Sequence, residues 1–105
     1  MRLAAPLSLG LSALLAAAPA SAAPELVQSK ICLSCHAVDH KIIGPAFKDV
    51  AARYAGRGDA AAYLAAKILH GGSGVWGAVP MPANTNLSPQ EALELARWVL
   101  AQGAR

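Results

Sequence analysis

Five consecutive residues, Cys32-Leu33-Ser34-Cys35-His36, hold the chain's two cysteines and one of its three histidines. Two cysteines separated by two residues fall on one tight helical turn, so both sulfurs reach the same edge of a flat macrocycle. The residue that follows then points an imidazole toward the macrocycle's centre. That is the haem-attachment pattern, in which the thiols add to two porphyrin vinyl groups as thioethers and His36 supplies the proximal iron ligand. Two other chemistries use the same residue types. A redox dithiol starts a helix after a strand, and no βαβ pattern precedes Cys32. A zinc site asks for four ligands, and beyond Cys32, Cys35 and His36 only His40 and His70 are on offer.

Met1 aside, Met81 is the chain's only methionine, and it sits between Pro80 and Pro82. Proline locks φ and removes an amide donor, so this loop is stiff enough to present a thioether to iron from the face opposite His36. A solitary methionine more often fills a gap in a core, yet a Pro-Met-Pro loop is not where a core residue is expected. His40 and His70 are the other candidates for that position, but neither lies in a rigid loop and both are expected to be exposed. With both axial positions filled by protein, no site remains for oxygen, peroxide or nitrite. Iron held this way exchanges single electrons, and methionine ligation favours the reduced state.

The elements that must position these groups fit into one small domain. Of 105 residues, Met1-Arg2 makes a short positive start, Leu3 to Ala18 is apolar and uncharged, and Ala20-Ser21-Ala22 has the small-x-small form of a signal-peptidase site. Cleavage after Ala22 is expected, with retention as a membrane anchor as the alternative, and residues 23–105 form the domain. A domain of that size buries only about 60 % of its unfolded surface and needs a staple. A disulfide between Cys32 and Cys35 would close too short a loop to serve. A buried prosthetic group would. The formal charge is +3 with basic residues spread singly, which gives no support to nucleic-acid binding.

The domain reads as all-α. Phe47, Val50, Ala51 and Tyr54 fall at i, i+3, i+4 and i+7, and Ala61, Leu64, Ala65 and Ile68 repeat that spacing after Asp59 as N-cap. The last helix opens on Ser88, with Pro89 at its first position and Glu91 three residues after the cap, and Gly103 follows its end. Its buried stripe is Ala92, Leu95, Ala96 and Val99. Trp98 is expected to pack on a first helix, roughly Glu25 to Leu33, through Val27 and Ile31. Between the third and last helices, residues 71–84 hold four glycines and two prolines, a stretch that cannot be regular structure and is long enough to be functional.

Cys-x-x-Cys-His near the start of the domain, Gly44-Pro45, Val75-Trp76-Gly77, Pro80-Met81-Pro82, Asn84 and a terminal Ala96-Arg97-Trp98-Val99-Leu100 together resemble the small bacterial class I cytochromes of the cytochrome c-551 type. The resemblance covers nearly the whole domain. It implies a class I cytochrome c fold, four to five short helices around one covalent haem c, with His36 and Met81 on the iron. It also implies that the Pro45 carbonyl accepts from His36, that Asn84 orients the Met81 sulfur and that the Trp76 indole touches a haem propionate. Lys67 stands where such proteins often carry an arginine, without the arginine's planar fork.

The function implied is that of a periplasmic electron carrier, a monomer and not an enzyme. It would dock briefly on redox partners through small or apolar residues at the exposed haem edge, with Leu33, Ile42, Ala78, Val79, Pro80 and Ala83 as candidates. A nitrite reductase, a terminal oxidase or a cytochrome peroxidase would be compatible partners. A small peroxidase-like haem enzyme and a haem subunit of a larger respiratory complex are the alternatives.

Overall fold

The computed structural model describes residues 1–12 and 22–104. Residues 13–18 of the expected signal peptide's apolar run, and Ala20-Ser21 of its expected cleavage site, lie outside the described residues. Five segments follow one another from Ala23: α1 (Ala23–Ser29), a 3-10 turn (Cys32–Ser34), α2 (Phe47–Tyr54), α3 (Ala60–His70) and α4 (Pro89–Ala101), closed by a second 3-10 turn (Gln102–Ala104). Among the described residues there is no strand, only two isolated bridges, His36 with Lys41 and Gly72 with Met81. Nor is any described helix long and apolar enough to cross a membrane.

α4 is the axis on which α1, α2 and α3 pack. Ala92 and Ala96 are 0 % exposed, and their single methyl groups let neighbouring helices approach the α4 backbone while Leu95 and Val99 fill the gaps between them. The start of α4 is the best-determined boundary. Ser88 Oγ accepts from the Glu91 amide at 3.1 Å, and Glu91 Oε1 accepts from the Ser88 amide at 3.0 Å, a reciprocal capping box. α2 likewise buries Phe47, Val50, Ala51 and Tyr54, the four positions its periodicity selects.

Four expectations need correction. α1 starts and stops earlier than Glu25–Leu33, because Ile31 takes a left-handed conformation at φ 53° and turns the chain sharply before Cys32. Ile31 is therefore 77 % exposed and does not pack on Trp98, which instead meets Phe47 edge to face, with ring centroids 5.3 Å apart. Asp59 occupies the N-cap position of α3 without capping it: its backbone is not extended (φ −98°, ψ 10°), and its carboxylate takes the Arg57 guanidinium in a two-point pair. The buried stripe of α3 accordingly begins at Ala60 rather than Ala61, and Ile68 is only half-buried. Gly103 follows the end of α4 as expected, in the closing 3-10 turn, where a Cβ would come 3.0 Å from the Ala51 methyl.

Two outcomes follow from these contacts. A left-handed β-branched residue costs about 1–2 kcal/mol, so Ile31→Asn, which tolerates that conformation and gives up little burial, is expected to raise the denaturant midpoint. Ser88→Ala is expected to lower stability by about 1 kcal/mol at unchanged m-value. The Ser88 amide holds the Glu91 carboxyl below the ordinary glutamate range, so this contribution is complete above that range and is lost as pH falls through it to the lowered folded value. Acid titration of Glu91→Gln should lack that loss.

Candidate functional site

The turn after Ile31 winds the two cysteines and the histidine into one unit. Ser34 N donates to Ile31 O at 3.1 Å, and Cys32 O accepts from both Cys35 N at 3.2 Å and His36 N at 3.0 Å. Both thiols are free and half-buried, and burial pushes the Cys32 thiol above its ordinary pKa. His36 is confined from three directions. Its Nδ1 donates to Pro45 O at 2.7 Å, its ring stacks on Phe47 with centroids 5.1 Å apart and planes 19° from parallel, and Gly44 lies against its remaining face. A Cβ on Gly44 would overlap the imidazole, reaching 2.8 Å from Nδ1 and 2.9 Å from Nε2.

Facing this unit is the loop that carries Met81. Its ends are drawn together by the Gly72–Met81 pair, with N-to-O distances of 3.0 and 2.8 Å, and its tip by Gly74 N donating to Gly77 O at 2.8 Å. Gly71 closes α3 with its amide on Lys67 O at 2.8 Å and turns into the loop at φ 69°. A Cβ there would collide with the backbone of Met81 to Ala83, so glycine is demanded by conformation and by space at once. Asn84 ends the loop: its amide and its Nδ2 both donate to Ile68 O, at 3.2 and 2.9 Å.

Between the two units lies an open-sided cavity of ≈ 280 Å³ lined by Cys35, His36, Leu64, Ile68, Trp76 and Met81 among others. Its walls are mainly apolar. Among the described lining residues the charged groups are Lys41 and Lys67, with no carboxylate. The Lys67 ammonium lies 5.5 Å from the Tyr63 ring centroid and beside Gly72. Trp76 is 39 % exposed, with the Arg53 guanidinium 4.7 Å from its ring centroid. His40 pairs with Asp39 at 2.8 Å on the surface, and His70 is exposed at the end of α3. No group of three or more His, Cys, Asp or Glu among the described residues is placed to hold a metal by itself.

The family model for cytochrome c matches residues 20–102. The chain belongs to the cytochrome c family. It is 53 % identical over 89 residues to cytochrome c-552 of Nitrosomonas europaea, covering 85 % of this chain and 86 % of that protein. It is also 53 % identical over 77 residues to cytochrome c-551 of Pseudomonas aeruginosa, covering 73 % of each. The crystal structure of wild-type Nitrosomonas europaea cytochrome c552 superimposes with a TM-score of 0.73 at 51 % identity, covering 75 % of this chain and 98 % of that one. Like these small class I cytochromes, the chain carries one covalently attached haem c and is an electron carrier rather than an enzyme, meeting redox partner proteins.

The residues present suit that group. An apolar cavity accepts the porphyrin face, an imidazole stands on its wall with Nε2 unpartnered, and cations without carboxylates suit the propionates. Sequence reasoning singles out Gly44-Pro45 but gives Gly44 no role, and it misses the stacking of Phe47 on His36 and the placement of Arg53. The Gly44 contact makes a sharp forecast. Gly44→Ala should destabilise the haem-loaded protein by about 1–3 kcal/mol, as overpacking does, and chemical denaturation of the loaded protein checks it.

Proposed function

We propose that this cytochrome is a periplasmic monomer in which Cys32 and Cys35 hold the haem by thioethers and His36 and Met81 bind its iron. One observation carries the reading. The Pro45 carbonyl can only accept, so Nδ1 of His36 bears the proton and Nε2 keeps its lone pair at the cavity wall. The loop with Met81 lies on the same cavity, clamped by the Gly72 pair and by Asn84. One Nδ2 hydrogen of Asn84 is spent on Ile68 O, and the second is available to the Met81 sulfur. Trp76 and Lys67, at the cavity rim, supply an N–H and an ammonium for the propionates. When bound, the haem supplies a one-electron couple, and the chain's part is to keep both ligands still.

Rigid ligation in an apolar shell limits what must rearrange when the charge changes. Electrons would pass through the edge flanked by Leu33, Ile42 and Val79, which are 46, 47 and 66 % exposed, with Ala78, Pro80 and Ala83 beside them. Such a patch suits short-lived docking on a respiratory partner, a nitrite reductase, a terminal oxidase or a cytochrome peroxidase. Residues 1–22 act as the signal peptide that directs the chain out of the cytoplasm, leaving 23–105 as the mature cytochrome.

A pyridine haemochrome assay on the periplasmic fraction tests attachment and compartment together, and a folded, colourless polypeptide there would end the reading. Met81→Ala is expected to lower the reduction potential and open the iron to cyanide, whereas His70→Ala changes neither.

A further inference from the structure

We infer that Arg53 is a positioning residue that straps the Met81 loop to α2 and so sets how readily an outside ligand displaces Met81. The inference rests on Met81 being an iron ligand. α2 is a rigid support, since Phe47, Val50, Ala51 and Tyr54 bury its inner face and Phe47 stacks on His36. Arg53 stands on the outer face of that helix. Its guanidinium lies over the Trp76 ring at 4.7 Å, and NH1 donates to Val75 O at 3.0 Å. Two adjacent residues near the loop's tip are thus gripped by one planar group.

The rest of the loop is tied only near its ends. Gly72 pairs with Met81, and Asn84 with Ile68. Between residues 73 and 80 the internal Gly74–Gly77 bond cannot stop the loop swinging as a unit. Among the described residues, the hydrogen bond that reaches this stretch from outside it comes from Arg53. Where Met81 is withdrawn by the loop swinging from the cavity, both Arg53 contacts oppose the motion. An incoming ligand therefore works against them, and its apparent affinity is reduced by the same factor. The strap uses properties that lysine lacks, a flat face for the indole and a fork that can donate while stacked.

The test is an imidazole titration of the ferric, haem-loaded protein, followed by absorbance, with denaturant unfolding measured alongside. Arg53→Met should bind imidazole about tenfold more tightly than wild type, the combined size of an exposed cation–π contact and an ordinary net hydrogen bond. Arg53→Lys should fall between the two, about threefold tighter. Ser88→Ala, remote from the loop, should lose global stability with no gain in imidazole affinity. Arg53→Met within twofold of wild type would overturn the strap, as would a gain in Ser88→Ala equal to that of Arg53→Met. Met81→Ala serves as the reference and should bind imidazole far more tightly than all of these. Should it match wild type, the assignment of Met81 itself fails, and the strap falls with it.

Discussion

A single hydrogen bond, from His36 Nδ1 to the Pro45 carbonyl, decides which ring nitrogen is left to face the cavity, and the surroundings of that bond account for much of the fold around it. The imidazole has two equivalent-looking edges until a partner that can only accept selects one of them. Gly44 then has to be glycine, because the chain passes against the ring on its way to Pro45. Phe47 supplies a parallel face, and Trp98 meets Phe47 edge on, so the orientation of the imidazole is handed through two aromatic contacts to the central helix α4. The direction of the ring is thereby referred to the buried core around α4.

The opposite wall is built on another principle. Met81 lies in no helix, and its loop is held by proline stiffness, by one bridge to Gly72 and by a close backbone approach at Gly71. Such a wall is rigid at its base, while its tip relies on the Arg53 contacts to Val75 and Trp76. A domain of this size is marginal on its own core, and a haem held at the apolar cavity would add further apolar contact.

Particular residues show where local pattern suffices. Ser88 and Glu91 meet as a cap because both partners lie within one turn, so no distant contact can intervene. The stripes of α2 and α4 are read directly because each helix buries one continuous face. Asp59 fails as a cap because Arg57, two residues away, competes for its carboxylate with a stronger, charged donor. Ile31 fails as a packing residue because the turn needed by Cys32 overrides helix periodicity just before it. Arg53 leaves no mark in the sequence, since an arginine on an exposed helix face is ordinary until a loop carrying Val75, 22 positions later, is folded beneath it.

Residue type and short spacing by themselves determined the attachment pattern, the candidate ligands, the helical class and the cap of α4, since each depends on atoms joined by a few bonds. Only the tertiary structure decided that Gly44 presses on His36, that Asn84 donates to Ile68, that Gly103 packs on Ala51 and that Arg53 grips Trp76. Those contacts join segments whose separation along the chain is bridged by packing alone, and packing is a property of all the elements together.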